Sequence, residues 1–169
     1  MSTIIRPATS EDIPALARLV GQFWPEHSRM IGGNRSITEE ECLAEVSGRL
    51  SQADSGYFLA LNEGGEIVGY RSWELSGTFY TTCEMFVIPT MRRRGIAAQL
   101  IERFERWLTE RGQDIACISI TPHNSAMLKL LVREGYTILN KIEFRKDLSP
   151  DARAPRGTLS LFDFEWNVL

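Results

Sequence analysis

The sequence contains few of the residues that hold metals or form disulfide frameworks. Its 169 residues include two histidines, His27 and His123, and three cysteines, Cys42, Cys83 and Cys117. The histidines are far apart, and the cysteines are odd in number and show no Cys-x-x-Cys spacing, which argues against a zinc site or a disulfide scaffold. We expect no metal, and we interpret the cysteines as small apolar core residues in a reducing compartment.

Long apolar runs and an excess of positive charge are also missing. No segment approaches the roughly 18 apolar residues of a membrane span, and the chain opens at Ile4-Ile5-Arg6-Pro7 without an apolar signal region. The net charge of −3 disfavours a dedicated nucleic-acid binder. With 43% hydrophobic and 24% charged residues, the chain has an ordinary globular composition. We expect one cytoplasmic domain over residues 1–169 that binds neither nucleic acid nor membrane.

Capping signals and apolar periodicity predict two helices early in the chain, after a short strand at residues 3–6. Thr9 with Asp12, and Thr38 with Glu41, have the spacing of a capping box. Apolar residues at helical intervals follow each pair. They are Ile13, Leu16, Val20 and Phe23 in the first helix, and Leu43, Val46 and Leu50 in the second.

From Gly56 the pattern changes to that of an antiparallel meander. The segments Tyr57–Leu61 and Ile67–Tyr70 flank a turn, Asn62–Gly65, in which glycine provides the positive φ. A second turn at Ser76–Gly77 leads to a strand from Tyr80 to Ile88, which Pro89 ends.

The remaining pattern predicts a β-α-β-α-β unit, so that the whole chain is a mixed α/β fold. On the helix after Pro89, Glu102 and Arg106 form an i,i+4 pair, and Gly112 ends the helix. The predicted elements are a helix with the stripe Ile96, Leu100, Phe104, Trp107 and Leu108, a strand at Asp114–Thr121, a helix from Asn124 to before Gly135, and strands Tyr136–Leu148 and Thr158–Trp166 joined by the loop Ser149–Gly157.

The most informative segment is the basic loop between the strand that ends near Ile88 and the following helix. A helix start offers unpaired N–H groups and the positive end of the helix dipole, which favour a phosphate. Gly95 and Ala97 allow close approach, and the arginines 92–94 attract an anion. Neither a P-loop sequence nor a G-x-G-x-x-G after a strand is present. On charge alone, a solvated basic loop is an equally good interpretation.

The string V-x-P-x-x-R-x-x-G-I-A, from Val87 to Ala97, strongly resembles the acyl-CoA-binding signature of the GNAT superfamily of N-acetyltransferases. In that family the signature is R/Q-x-x-G-x-G/A at a strand–loop–helix junction. The opening Ile5–Ala8 before a capped helix, and Asn124 followed by a helix and Gly135-Tyr136, resemble the family's start and a later motif. The resemblance covers roughly residues 3–148 and is less clear over 149–169.

The resemblance implies a central mixed, mostly antiparallel sheet of about seven strands, flanked by about four helices, with acetyl-CoA as co-substrate and no metal. Backbone groups of Phe86 and Val87 would pair with the pantetheine arm in a V-shaped gap between the fourth and fifth strands, and an N–H near Val87 would stabilise the oxyanion. Asn124 would contact pantetheine, although a plain N-cap also explains it. The pyrophosphate would lie on the backbone of Arg92, Arg93, Arg94, Gly95, Ile96, Ala97 and Ala98.

An amine must lose a proton to attack a thioester, so the reaction requires a base. Glu84 lies on the strand that leads into the basic loop, where a number of family members carry an acidic residue, and is the candidate base. The alternative is that it faces solvent or pairs with an arginine. Family members that use a tyrosine as general acid carry it seven residues after the motif Asn, where this chain has Leu131. Another group then protonates the thiolate, or the thiolate leaves without a dedicated acid.

The acceptor pocket is expected among the first two helices and their connection. Trp24, Glu26 and His27 are candidate substrate-binding residues there, and Glu74 is a further possible amine partner. The alternative is that Trp24 belongs to the core and that Glu26 and His27 lie on the surface.

These observations predict acetyl transfer from acetyl-CoA to a primary amine, which is a small molecule or a peptide, by direct attack. A ping-pong route through Cys83 or Cys117 is weakly supported, because neither has an adjacent His base in sequence. The rival interpretation is a non-catalytic acyl-CoA-binding or protein-interaction module of the same fold. A homodimer through the late strands Thr158–Trp166 is compatible with the sequence.

Overall fold

The computed structural model describes residues 3–146 and 155–168, which form two compact units. The first unit comprises the described parts of Met1–Pro25 and Ser36–Ser119, and the second comprises Glu26–Arg35 and the described parts of Ile120–Leu169. The single domain expected from the sequence stays a prediction. The elements are β1 (Ile4–Pro7), α1 (Ile13–Met30), α2 (Glu39–Leu50), β2 (Ser55–Leu61), β3 (Ile67–Ser76), β4 (Phe79–Val87), α3 (Ile96–Thr109), β5 (Cys117–Ile118), α4 (Ser125–Arg133), β6 (Gly157–Leu161) and β7 (Phe164–Val168).

A five-stranded sheet in the order β1-β2-β3-β4-β5 organises the first unit. Neighbouring strands are antiparallel except β4 and β5, which are parallel. The predicted meander is confirmed as β2, β3 and β4, with tight turns at Gly65 and Gly77, both of positive φ. The sheet is therefore mixed and mainly antiparallel.

Both faces of the sheet are covered, which explains why β2 is buried along most of its length. Tyr57 and Leu59 pack with residues of α1 and α2, whereas Phe58 and Ala60 pack with residues of α3. Successive side chains of a strand point to opposite faces, so this alternation assigns α1 and α2 to one face and α3 to the other.

The two capping boxes predicted from the sequence are present. Asp12 accepts hydrogen bonds from the Thr9 N–H at 2.8 Å and from both terminal nitrogens of Arg6 at 2.7 Å. These bonds, Arg6 first, lower the pKa of the Asp12 carboxyl to about 2. The Thr38 hydroxyl likewise accepts from the Glu41 N–H, and the Glu41 carboxylate accepts from the Thr38 N–H at 2.7 Å.

The C-terminal region differs from the strands predicted for it. No regular strand occurs over the described residues 136–146, and residues 147–154 of the predicted strand and loop lie outside the described part of the chain. The predicted single strand Thr158–Trp166 is instead a hairpin of β6 and β7. Phe162 and Asp163 both have positive φ, 55° and 64°, as a type I′ turn requires, but without the usual Asn or Gly signal.

The expected mixed, mostly antiparallel sheet is confirmed, although it has fewer strands than the seven expected. The described residues form seven strands, but five lie in one sheet and two in another. The strand predicted at Asp114–Thr121 is reduced to Cys117–Ile118, since only these two residues pair with β4. The four expected helices are confirmed, including the stripe on α3 and its Glu102–Arg106 pair at 2.9 Å.

Candidate active site

Strands β4 and β5 separate after a short parallel contact. They pair only at Thr81 with Cys117 and Thr82 with Ile118, although β4 continues to Val87. The N–H of Ile88 donates to the Val68 carbonyl at 3.0 Å, and the pairs at Val68–Ile88 and Gly69–Val87 are consecutive in the antiparallel ladder. Because hydrogen-bonded and non-hydrogen-bonded pairs alternate, the N–H and C=O of Val87 face away from β3, on the β5 side.

The same alternation places the backbone groups of Phe86 on the β3 side, in its pair with Tyr70. Met85, two residues before Val87, directs its backbone groups to the β5 side instead. The gap that the resemblance implies is therefore lined by backbone groups of Met85 and Val87, and the Phe86 side chain is buried in the core that α1 and α2 cover.

The basic loop has the backbone geometry of an anion site at the start of α3. Arg93 and Gly95 both have positive φ, 63° and 79°, and Gly95 caps the helix without any side-chain hydrogen bond to the first turn. A Cβ at Gly95 would meet nothing nearer than the Gln99 Nε2 at 4.0 Å. The first-turn N–H groups, next to two left-handed residues, form a concave set of donors that suits a pyrophosphate.

Arg92 also has a structural role at this loop. Its Nε–H donates to the Val87 carbonyl at 2.8 Å, and its guanidinium lies 5.4 Å from the centre of the Phe86 ring. The contact ties the basic loop to the end of β4. It also occupies the Val87 carbonyl. The Val87 N–H is then the remaining backbone group of this residue on the β5 side, and it can donate to a carbonyl of a ligand.

Glu84 lies at a β-bulge in the middle of β4. Between the pairs Arg71–Met85 and Trp73–Thr82, β4 has two residues, Cys83 and Glu84, opposite the single residue Ser72. The Ser72 hydroxyl accepts a hydrogen bond from the Glu84 N–H at 2.8 Å, so the extra residue is satisfied within the sheet. The Glu84 side chain is 7% exposed.

The surroundings of the Glu84 carboxyl make it a proton acceptor near neutral pH. Burial, then the nearby charge of Glu45, raises the pKa of Glu84 to about 7, while Arg49 opposes the shift. Arg49 Nη2 is 4.0 Å from Glu84 Oε1, and the Tyr70 hydroxyl is 3.5 Å from Glu84 Oε2. A carboxyl in such surroundings is partly protonated at pH 7 and suited to general-base catalysis.

An open cavity lies between α2, the start of β2 and the end of β3. Its volume is about 230 Å³, and it is lined by Ala44, Glu45, Gly48, Arg49, Gln52, Ser55 and Glu74. Arg49 connects the cavity to Glu84, since its Nη1 lies 3.0 Å from Glu74 Oε2 and its Nη2 faces Glu84. The two carboxylates of the lining suit a positively charged group.

Comparison with known proteins agrees with this geometry. The model of the Acetyltransferase (GNAT) family matches residues 16–136, which is most of the chain. The chain belongs to the GNAT acetyltransferase family. It is an acetyl-CoA-dependent N-acetyltransferase, as the loop at Gly95 and the separation of β4 from β5 indicate.

Several relatives of this GNAT enzyme are aminoglycoside N(6′)-acetyltransferases. It is 24% identical to an aminoglycoside N(6′)-acetyltransferase type 1 of Salmonella typhimurium, over 73% of this chain and 83% of that protein. It is 22% identical to one of Klebsiella aerogenes, over 87% of this chain and 98% of that protein.

Solved structures share the fold. AAC(6′)-Iy, in complex with the bisubstrate analogue CoA-S-monomethyl-acetylneamine, gives a TM-score of 0.71 at 22% identity, covering 88% of this chain and 100% of that one. An aminoglycoside acetyltransferase from an uncultured soil metagenomic sample, in complex with sisomicin, gives a TM-score of 0.69 at 19% identity, covering 87% and 97%.

The acceptor residues predicted from the sequence are distributed over both units. Trp24 packs on the core of the first unit, and its indole N–H donates to Glu45 Oε2 at 2.9 Å. Glu26 and His27 lie on the last turns of α1, in the second unit, where burial lowers the pKa of His27. Glu74 lines the cavity, as a substrate-binding residue would.

In the second unit, Asn124 caps α4, its side-chain oxygen accepting from the Met127 N–H at 3.1 Å. This confirms the cap and leaves the contact with pantetheine a prediction. Leu131 is buried on the same helix, so the position of the usual tyrosine acid holds an apolar side chain.

The cysteines differ in their surroundings. Cys42 is buried as predicted, whereas Cys83 is exposed, which corrects its interpretation as a core residue. The protein around the Cys83 thiol still desolvates it and raises its pKa to about 11. A thiol of this pKa is almost entirely protonated at neutral pH, which disfavours a ping-pong route through Cys83.

The sequence did not identify Glu45, Arg49 and Ser72. Glu45 and Arg49 are four residues apart on α2, a spacing that indicates one helix face but no chemistry. Ser72 lies between Arg71 and Trp73 on β3, and only the bulge opposite reveals what its hydroxyl does.

The described residues contain no group of three or more His, Cys, Asp or Glu side chains that would hold a metal ion. Within the same residues, no helix has both the length and the hydropathy of a membrane span.

Proposed function

We propose that this enzyme transfers the acetyl group of acetyl-CoA to a primary amine by direct attack, with Glu84 as the general base. The observation that carries the proposal is the buried Glu84 carboxyl with its raised pKa, connected through Arg49 to a cavity lined by Glu45 and Glu74. Its place on β4, two residues beyond the last pair with β5, puts it near the groups expected to hold the acyl donor.

The residues present fit acetyl-CoA. The pyrophosphate would be held by the first-turn N–H groups of α3 and by the charges of the arginines 92–94, on a loop that Gly95 allows to curve. The Val87 N–H would bind a carbonyl of the acyl-pantetheine, and Asn124 remains a proposed pantetheine contact. When bound, acetyl-CoA supplies an activated acetyl group whose C–S bond breaks as the C–N bond to the amine forms.

The proton balance defines the task of Glu84. A protonated primary amine carries three N–H protons, and the amide product retains one. One of the other two goes to the leaving thiolate, and the second must go to a base and then to solvent. A base with a pKa near 7 can accept that proton and release it again at neutral pH.

The acceptor is proposed to be an amine with more than one positive charge. Aminoglycosides, named in the relatives, are one such class, and polyamines are another. Glu74 and Glu45 provide negative charge at the cavity, and Arg49, which pairs with Glu74, also lines it. A monocationic amine would use fewer of these contacts, and we expect it to be a poorer substrate.

Thiol release from acetyl-CoA, measured against a panel of aminoglycosides, polyamines, amino acids and peptides, tests the proposal. We expect turnover with at least one polycationic class and, by mass spectrometry, a product heavier by one acetyl group. Gly95→Glu, which places a negative charge at the start of α3, should abolish turnover. Thiol release that is independent of every amine would contradict the proposal.

A homodimer also remains a proposal. Phe162 and Phe164 of the β6–β7 hairpin are largely exposed, as is Phe144. Apolar side chains of this size are commonly covered in an assembly. Light scattering coupled to size-exclusion chromatography should give twice the monomer mass, and a monomer at all concentrations would contradict it.

A further inference from the structure

The carboxyl groups around Arg49 outnumber the cations that neutralise them, so their negative charge must be reduced by other means. Glu45 on α2, Glu74 on β3 and Glu84 on β4 surround a single guanidinium, that of Arg49. Arg49 is close to Glu74, at 3.0 Å, and more distant from Glu84, at 4.0 Å. Arg49 thus makes its shorter contact with the half-exposed Glu74, and one guanidinium serves three carboxyl groups.

One oxygen of Glu45 lacks a hydrogen-bond donor. Glu45 Oε2 accepts from the Trp24 indole at 2.9 Å, but among the described residues no donor reaches the buried Oε1. A carboxylate oxygen left in this state is costly, because burial removes the water that would otherwise solvate it. The Glu45 carboxyl is within hydrogen-bonding reach of the Glu84 carboxyl.

We propose that Glu45 and Glu84 share one proton, and that Glu45 is a positioning residue that sets the protonation state of Glu84. The shared proton gives the buried Glu45 Oε1 its missing donor and removes one of the two neighbouring negative charges. This inference rests on the proposed role of Glu84 as base and adds a second residue to it. Two carboxyls in contact cannot both ionise freely, so their protons leave in separate steps.

The other groups that face the pair support this arrangement. From β3, the Tyr70 hydroxyl lies 3.5 Å from Glu84 Oε2. Burial raises the pKa values of Tyr70 and of Tyr57 on β2, so both phenols are neutral at pH 7. Arg49 is the one cation that the described residues place against Glu84. A shared proton, which makes one of the two carboxyls neutral, is therefore the simplest way to satisfy the hydrogen bonding of both.

In the reaction, the pair alternates between no proton and one. With both carboxyls ionised, it accepts a proton from the acceptor ammonium on Glu84, shares that proton with Glu45, and returns to the ionised state when the proton passes to solvent. Glu45 contacts neither the attacking nitrogen nor the thioester in this scheme, and it acts on the transferred proton through Glu84. Its effect is on the pH at which Glu84 can accept a proton.

Carboxyl titration by NMR of the full chain, labelled with ¹³C at the glutamate side chains, tests the proposal without turnover. We expect a wild-type step near pH 7 that is absent in Glu84→Gln and moves down by about 1 pH unit or more in Glu45→Gln. The amide introduced by Glu45→Gln retains an oxygen for the Trp24 indole and gains an N–H for Glu84, so the fold is conserved. Glu40→Gln, on the exposed side of the same helix, should leave the step unchanged.

A step near pH 7 that stays in place in Glu45→Gln would overturn the shared proton, since burial of Glu84 alone would then account for it. If Glu45→Gln does not fold, Glu45→Asp shortens the partner and should also lower the step, and an unchanged step again overturns the proposal. The pH dependence of kcat/KM separates this inference from the proposed function. If Glu45→Gln moves the NMR step but not the kinetic profile, the shared proton is supported and Glu84 as base is refuted.

Discussion

The Ser72 hydroxyl lies 2.8 Å from the backbone nitrogen of Glu84 and accepts its hydrogen bond across the β3–β4 pair. The same oxygen is 3.4 Å from the Glu84 carbonyl. Ser72 thus satisfies the residue that the bulge inserts into β4. The bulge turns the Glu84 side chain to the face where Arg49 and Tyr70 lie, so a small side chain on β3 determines where the candidate base is.

Ser72→Ala should therefore reduce activity more than it reduces binding of CoA. The variant leaves the buried Glu84 N–H without its acceptor, which costs about 1–3 kcal/mol of folding free energy. Calorimetric CoA binding and kcat, measured on the same sample, separate the two effects. Ser51→Ala removes an exposed hydroxyl whose bond is to the Gly48 carbonyl, and it is the control for loss of a hydroxyl.

The conformation of Gly95 predicts a specific loss of cofactor affinity in Gly95→Ala. Its φ of 79° is unfavourable for alanine by about 1–2 kcal/mol, although a Cβ would have space. The matched control is Gly112→Ala at the other end of α3, where φ is 72° and space is also open. Both variants should lower the melting temperature similarly, while only Gly95→Ala should weaken CoA binding in calorimetry. Equal CoA affinity in the two would contradict the assignment of the loop.

Glu84 should make the protein less stable as pH rises. Its pKa is raised to about 7 in the folded state from an ordinary value of 4.5, so the folded state binds more protons between these values. The free energy of unfolding then falls as pH increases from about 4.5 to about 7, and the loss is complete above that range. Glu84→Gln should remove this dependence, so its melting temperature should exceed that of wild type more at pH 8 than at pH 5.

Arg49→Met should move the protonation of Glu84 in the opposite direction to Glu45→Gln. The Arg49 charge favours the ionised form of Glu84, so its removal raises the pKa of that carboxyl further. We expect the acid limb of the kcat/KM profile to shift to higher pH. Arg106→Met, on the exposed face of α3, should not shift the profile.

Local signals in the sequence were sufficient for the parts of the fold that depend on local chemistry. The capping boxes at Thr9 and Thr38 and the turns at Gly65 and Gly77 are set by neighbouring residues, and all four are confirmed. The motif around Gly95 was also recognisable, because a helix start needs only a short segment to hold an anion.

Contacts between distant residues account for what the sequence did not predict. The hairpin turn at Phe162 and Asp163 has neither Gly nor Asn, and Phe162 is a residue type that seldom adopts positive φ. The grouping of Glu45, Arg49 and Glu84 depends on how α2 packs on the sheet, which no local pattern specifies. The interpretation of Cys83 as a core residue is wrong because the bulge in β4, which depends on pairing with β3, exposes it.

The most direct test of the account is the pH dependence of kcat/KM for acetyl transfer to the best amine of the panel, in wild type and Glu84→Gln. We expect the wild-type rate to rise tenfold per pH unit below about pH 7 and then to level off. Glu84→Gln should lose this limb and about 10²–10⁴-fold of the rate, with unchanged CoA affinity. Glu102→Gln, exposed on α3, is the control. A Glu84→Gln enzyme with the wild-type rate and the same limb would contradict Glu84 as the base.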